Sequence, residues 1–367
     1  MNIDRITLHH LSMRLKYPFE TSFGRIQQRE CILVQIQAGG LSGWGECVAD
    51  RDPWYSSETT GTAWHILKDH LIPQLVGKSL PTAEEFQAGA ARIRGNAMAK
   101  ASLEMALWDL WGQVEGKSVA QLLGGVRSAV PVGVSIGLQP DIAALLDVVA
   151  KFVAEGYGRV KLKIKPGQDV PLAAAVRRAY PDLPLQVDAN SAYTLESAAA
   201  LLPLDDLDLL LIEQPLAEDD LWDHRQLQAR LRTPICLDES ITSPRHAAQA
   251  LEMKAARIIN IKAGRVGGLS QAVQIHDLCT AAGAPVWCGG MLETGVGRAS
   301  NLALAALPGF TLPGDISASD RYYEQDITEQ GFTLNPESTI TVPTAPGLGI
   351  TVDTAALAGV TLATLRF

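Results

Sequence analysis

No run of about 18 uninterrupted apolar residues occurs in the 367-residue sequence, so no membrane-spanning helix is expected. The opening Met1-Asn2-Ile3-Asp4-Arg5 lacks an apolar segment behind a basic start, and no signal peptide is read there. Basic residues are outnumbered by acidic ones, 31 to 40, for a net charge of −9. Nucleic acid demands a basic face that this balance does not advertise, whereas a small anionic substrate stays open, because a buried metal and two lysines reverse the potential locally. Cysteine is scarce and unpatterned: Cys31, Cys47, Cys236, Cys279 and Cys288 include no C-x-x-C pair. They read as reduced, buried thiols of a cytoplasmic protein. No glycine-rich dinucleotide fingerprint opens a strand–helix unit.

What is present is a globular composition, 47% hydrophobic and 19% charged. The length suits a barrel plus a second, smaller domain. Short apolar runs, each fit for a buried parallel strand, recur through the second two thirds of the chain. They are Val132–Ser135, Val160–Lys163, Leu185–Asp188, Leu210–Glu213, Ile235–Asp238, Ile259–Lys262, Pro285–Cys288 and Phe310–Pro313, and their last residues fall 24 to 28 positions apart. Helical periodicity fills the gaps, as in Asp141–Glu155, Leu195–Leu202 and Ser270–Ala282. Eight strand–helix units predict an α/β chain with a (β/α)8 TIM-type barrel over residues 126–320. Ahead of it, residues 1–125 predict an α+β capping domain: Ile6–Leu15 and Cys31–Gln37 alternate like antiparallel strands, and Ala97–Val114 reads as a helix. Residues 321–367, with strand-like Thr339–Val342, are expected to pack back on the capping domain.

Barrel chemistry collects at the C-terminal ends of the strands. Here those ends carry Lys163, Asp188, Glu213, Asp238 and Lys262, on strands 2 to 6. Three carboxylates on adjacent strands would repel strongly unless a cation joined them. An all-oxygen set suits Mg²⁺, with Mn²⁺ as the alternative, and the lack of a strand-end histidine disfavours zinc. Strands 2 and 6 lie on opposite sides of an eight-strand ring, so Lys163 and Lys262 could reach a bound substrate from opposite faces. Alternation turns Lys161 inward beside Lys163, where its charge should lower the Lys163 pKa. Such a site fits removal of a proton next to a carboxylate, the lysine moving the proton and the metal stabilising the charge that develops. A barrel retained only for binding would have lost part of this constellation, and all five strand ends are intact.

These residues resemble the enolase superfamily, in its muconate-lactonizing-enzyme-like branch, and within it the group of o-succinylbenzoate synthases and N-succinylamino acid (N-acylamino acid) racemases. The resemblance runs nearly end to end. It rests on Val160-Lys161-Leu162-Lys163-Ile164-Lys165-Pro166-Gly167, Gln186-Val187-Asp188-Ala189-Asn190, Ile212-Glu213-Gln214-Pro215-Leu216 and Cys236-Leu237-Asp238-Glu239-Ser240. Further along come Asn260-Ile261-Lys262, Arg265-Val266-Gly267-Gly268 and Trp287-Cys288-Gly289-Gly290-Met291-Leu292-Glu293-Thr294-Gly295. It implies Mg²⁺ on Asp188, Glu213 and Asp238, with Lys163 and Lys262 as acid/base residues, a chemistry that the superfamily is known for. It also implies mobile capping loops over the mouth, Phe19–Arg25 and Cys47–Trp54, with Phe19, Phe23 and Trp54 lining the pocket beside Ser135, Gly290 and Met291. Read from their positions, Asn190 and Glu239 either orient the ligands or a lysine or cap the following helix, and Arg265 either tunes Lys262 or pairs with a surface carboxylate. Ala263 stands where the family pattern has proline, which is expected to loosen the turn behind Lys262.

Two reactions fit that group. One is dehydration of 2-succinyl-6-hydroxy-2,4-cyclohexadiene-1-carboxylate to o-succinylbenzoate, a menaquinone precursor, with Lys163 as base and Lys262 steadying the enediolate. The other is racemisation of N-acylamino acids, with the two lysines exchanging roles. Dehydration is the expected activity. The expected partners are a small carboxylate substrate and, from the Trp-rich helix around Trp108 and Trp111, further copies of the same chain; neither nucleic acid nor membrane is expected.

Overall fold

Alternation between apolar and polar residues governs the first third of the chain and yields an antiparallel sheet. In the computed structural model, which describes all residues 1–367, β1 (Ile3–Glu20), β2 (Arg25–Ala38) and β3 (Leu41–Cys47) follow one another. The β2–β3 turn is Gly39-Gly40, both at positive φ (54° and 82°), the backbone a two-residue hairpin requires. Helices α1 (Thr60–Ile66), α2 (Ala83–Ala90) and α3 (Ala97–Glu115) pack over one face, α1 and α2 each opening on a capping box at Thr59 and Thr82. α3 lies so close on β3 that a Cβ on Gly45 would overlap the Ser102 carbonyl oxygen. Ile6, Leu8, Val34, Leu103 and Leu107, all fully buried, form the seam between them.

After α4 (Val119–Leu123) and the short β4 (Ala129–Pro131), the chain enters a parallel sheet. Its strands are β5 (Val134–Ile136), β6 (Val160–Lys163), β7 (Leu185–Asp188), β8 (Ile212–Glu213), β9 (Ile235–Leu237), β10 (Ile258–Ile261) and β11 (Val286–Cys288), each beside its sequence neighbour. Between and after them run α5 (Ile142–Ala154), α6 (Val170–Ala179), α7 (Leu221–Gln228), α8 (Pro244–Glu252), α9 (Ala263–Val266), α10 (Leu269–Ala281) and α11 (Gly295–Ala305). The helix expected over Leu195–Leu202 is instead a 3-10 segment, Ser197–Asp206, with Pro203 inside it.

The eighth strand differs from expectation. Residues 310–315 form no continuous ladder, and the regular sheet has seven strands. Single parallel bridges nonetheless join this segment to both sheet edges, Val286 to Phe310 and Val132 to Gly314, so the ring closes. Pro313 has no N–H to donate, which interrupts regular pairing. Arg159 compensates, its Nη2 donating to the carbonyls of Pro313 (2.8 Å) and Gly314 (2.7 Å).

The last residues return to earlier elements. β12 (Thr339–Thr341) pairs with β4, and after α12 (Thr354–Val360) the strand β13 (Thr361–Arg366) adds to the free edge of β1. All five cysteines are buried and unpaired by disulfides. No helix is long and apolar enough to cross a membrane.

Candidate active site

Parallel pairing in register sets Lys163 beside Asp188 and Asp188 beside Glu213, so one row of polar side chains crowns the barrel. The residues just beyond these strand ends, Asn190 (φ 42°) and Gln214 (φ 35°), take left-handed backbone that only a well-determined surrounding sustains. Gln214 repays it by accepting from the backbone N–H groups of Asp238 (3.0 Å) and Ser240 (3.2 Å).

The row is buried and paired. Lys163 Nζ donates to Asp188 (2.6 Å) and to Asn190 Oδ1 (2.7 Å), and Asn190 Nδ2 donates to Glu239 (2.9 Å). Across the ring, Lys262 Nζ donates to Asp238 (2.8 Å) and to the Tyr55 hydroxyl (3.0 Å). Arg265 pairs with the other oxygen of Asp238 and donates to the Ile241 carbonyl (2.7 Å). Asn260 Nδ2 donates to Glu213 (2.7 Å). Lys161 is inward as alternation requires, its Nζ lying 2.8 Å from Glu213, 3.1 Å from Asp188 and 2.6 Å from Asp315.

Charge states follow from these neighbours. Burial alone would lower the Lys161 pKa, but Asp315, Glu213 and Asp188 outweigh it and raise it. Lys161 is thus a structural cation held by three carboxylates as well as a neighbour of Lys163. Burial likewise opposes the Lys262 ammonium, while Tyr55, Glu239 and Glu213 favour it and hold its pKa high. Despite burial, Lys163 and Lys161 keep the Asp188 carboxylate well below its usual range. Burial and the Asp188 charge push Glu213 up, and the same two causes push Glu239 up to about 7.

Phe19, Phe23, Ser135, Gly290 and Met291 line a small inner cavity with Lys161, Lys163 and Lys262; its volume is about 80 Å³. It adjoins an outer vestibule of about 900 Å³, the two sharing Phe23, Tyr55 and Asn190. Glu239 and Arg265 line the vestibule. The Ser135 hydroxyl, Glu239 Oε2 and Asn260 Oδ1 are buried with no hydrogen-bond partner. The first capping loop is shorter than expected, since Phe19 and Glu20 still belong to β1 and Arg25 to β2. Trp54, half exposed, covers it: a Cβ on Gly24 would lie 2.6 Å from the indole. Ala263 is fully buried as the first residue of α9, a helical position that proline and alanine both tolerate.

Three participants escaped the sequence reading. Asp315 lies two residues past the eighth apolar run, outside the register that located the others. Tyr55 follows Trp54 directly, but nothing in the sequence turns its hydroxyl toward Lys262. Asn260 was within reach, since alternation places it inward like Lys262.

The carboxylates of Asp188, Glu213 and Asp238 are a buried all-oxygen donor set at the C-terminal ends of three adjacent strands, of the chemistry that Mg²⁺ takes. Their like-charge strain, felt at Glu213, is what a divalent cation relieves. Each is at present held by lysine, arginine or asparagine, and no three His, Cys, Asp or Glu side chains are gathered around one point. The donor chemistry fits such an ion.

Residues 3–124 match the family model described as mandelate racemase / muconate lactonizing enzyme, N-terminal domain, and residues 144–356 match that of the enolase C-terminal domain-like family. An o-succinylbenzoate synthase of Geobacillus stearothermophilus is 54% identical over 354 residues, 96% of this chain and 94% of its own. An N-succinylamino acid racemase of Thermus thermophilus is 48% identical over 350 residues, 95% of each chain. The solved structure of an enolase-superfamily member from Listeria innocua superposes with a TM-score of 0.96 at 42% identity, covering 100% of this chain and 99% of that one. The chain belongs to the enolase superfamily, in the group that unites o-succinylbenzoate synthases with N-succinylamino acid racemases.

Proposed function

We propose that this chain catalyses Mg²⁺-dependent dehydration of 2-succinyl-6-hydroxy-2,4-cyclohexadiene-1-carboxylate to o-succinylbenzoate, a step toward menaquinone. Relatives bearing the synthase name at 44–54% identity over nearly the full length support the reaction. The observation that carries the chemistry is the pair of buried lysines in one cavity, at the C-terminal ends of β6 and β10, four strands apart in the ring. Lys163 removes the α-proton and returns it to the departing hydroxyl. Lys262, whose ammonium form Tyr55, Glu239 and Glu213 favour against its burial, stabilises the enediolate as negative charge grows. Asp188, Glu213 and Asp238 would hold Mg²⁺, which, when bound, neutralises the substrate carboxylate and so acidifies the α-proton. Asn190 orients Lys163, and Glu239 orients Asn190.

A second activity, racemisation of N-succinylamino acids, uses the same two lysines in exchanged roles, and the Thermus relative at 48% identity carries that name. Magnesium-dependent turnover of the cyclohexadiene carboxylate, run beside α-proton exchange of N-succinyl-phenylalanine in deuterated water, tests both readings. Fast dehydration with slow exchange supports the synthase; fast exchange with feeble dehydration makes racemisation the main activity. Absence of both overturns the assignment.

The partners in this reading are a small carboxylate and a second copy of the chain, with no nucleic acid involved. Trp108 and Trp111 are half-buried and meet edge to face at 5.0 Å, which leaves part of each ring at the surface of α3. Sedimentation of the chain at several concentrations tests the self-association.

A further inference from the structure

The two lysines are braced by different parts of the molecule. Lys163 is fixed by Asp188 and Asn190, both carried by the barrel. Lys262 leans on two segments outside its own strand. One is the loop after β3, whose Tyr55 accepts from Nζ at 3.0 Å and lays its ring 4.6 Å from the same nitrogen. The other is the loop after β11. A Cβ on Gly289 would lie 2.6 Å from Lys262 Cε, so this backbone is the wall against which the lysine stem rests. That loop also contains Leu292 at φ 60°, a left-handed conformation that needs outside support in a residue with a side chain.

Both segments run into Arg29. This β2 side chain is 1% exposed and borders the inner cavity. Its Nη2 donates to the Val48 carbonyl (2.6 Å), and Nη1 donates to the carbonyls of Ala49 (3.4 Å) and Glu30 and lies 3.2 Å from the Asp50 carboxylate. Its Nε donates to the Met291 carbonyl (3.2 Å). Asp50 in turn accepts the Thr60 N–H through its own carbonyl (2.8 Å), which anchors the far side of the Tyr55 loop. One guanidinium therefore joins the loop that carries Tyr55 to the loop that walls Lys262, across the boundary between the antiparallel sheet and the barrel. A charge this deeply buried brings a desolvation cost that an apolar filler would avoid, so its value lies in the geometry it fixes.

We propose that Arg29 is a positioning residue for Lys262, fixing the two segments that aim this lysine while leaving Lys163 unaffected. The inference rests on the two-lysine reading above. In that reading each lysine removes the α-proton of one enantiomer, so exchange of each enantiomer reports one lysine. The test follows α-proton exchange of N-succinyl-L-phenylalanine and N-succinyl-D-phenylalanine separately in deuterated water, with the Mg²⁺-loaded full chain. Lys262→Ala identifies the enantiomer that Lys262 serves. For Arg29→Met the expected result is a loss of about tenfold or more in exchange of that enantiomer, with the other within about twofold, because small misplacements of a reacting group are costly. Arg29→Lys should recover part of the loss. If Arg29→Met does not fold, Asp50→Asn and Arg29→Lys carry the test, with a smaller loss on the same enantiomer. Equal losses on both enantiomers, a loss confined to the Lys163 enantiomer, or no loss would overturn the role. If the unsubstituted chain exchanges neither enantiomer, the two-lysine reading itself falls, and the Arg29 role falls with it.

Discussion

Lys163 and Asp315 show how differently two buried charges in one cavity serve the protein. Lys163 has a tight carboxylate partner, an asparagine support and an open side facing the cavity. Lys163→Ala should reduce turnover by about 10²–10⁴-fold, the usual share of a positioned acid/base group, with the far-UV circular dichroism unchanged. Retained turnover would remove Lys163 from the role of base. Asp315 instead joins two cations: Oδ1 accepts from Arg159 (2.7 Å) and Oδ2 lies 2.6 Å from Lys161. Burial would raise its pKa, but these cations hold it at about 2. Asp315→Asn leaves the fully buried Arg159 without its counter-charge, and breaking such a pair costs roughly 3–5 kcal/mol. Urea denaturation should show a loss of that size. A change under about 1 kcal/mol would mean that the carbonyls of Pro313 and Gly314 suffice for Arg159.

At the scale of elements, the two domains of the site meet where β3 caps α11. Glu46, fully buried on β3, accepts from Thr294 Oγ1 (2.6 Å) and from the N–H groups of Thr294 (3.1 Å) and Gly297 (3.0 Å). A carboxylate at a helix N-terminus is favourable, yet burial and the nearby Glu293 charge push this one up to about 7. The folded chain therefore keeps the Glu46 proton at pH values where an unfolded glutamate, near about 4.3, has released it. The associated stability is full below about pH 4 and is lost as pH rises through 7. Glu46→Gln cannot ionise and retains one acceptor oxygen. Its melting temperature relative to the unsubstituted chain should rise between about pH 5 and pH 8, and a pH-independent difference would mean that the Glu46 pKa is unshifted by folding. This contact was invisible in the sequence. Glu46 lies within β3, and its partner Thr294 is 248 residues away, so no local pattern pairs them. The strand ends, by contrast, were legible because each repeat contributes its own residue at one register, and parallel pairing then brings them together without further information. The 3-10 segment at Ser197–Asp206 was misread for a related reason: its apolar spacing suits a helix, while Pro203 disfavours an uninterrupted α-helix.

Over the whole molecule, periodicity conveyed the barrel and alternation conveyed the antiparallel sheet, but neither could show how the ring closes or which strand borders β1. Both answers lie in non-local pairing. The ring closes through single bridges and Arg159 rather than an eighth ladder. The edge of β1 is covered by β13, from Thr7 opposite Arg366 to Leu11 opposite Thr361, with Phe367 and Ile6 exchanging backbone hydrogen bonds of 2.9 and 3.3 Å. β13 is itself mostly exposed, with Leu362 59% accessible, so it adds little to the core and acts chiefly as a cover for backbone groups. Deleting residues 361–367 would leave β1, an 18-residue strand, with an open edge. Long open edges template pairing with another chain. The expected outcome is concentration-dependent association in sedimentation and a lowered melting temperature. Lys163 and Lys262 lie in the barrel, so the monomeric fraction should still exchange the substrate α-proton. A truncated chain that stays monomeric and melts unchanged would show that β13 is dispensable as a cover. One that associates and also loses exchange in its monomeric fraction would show that the β1 edge supports the capping loops, and through Arg29 on the neighbouring strand, the cavity itself.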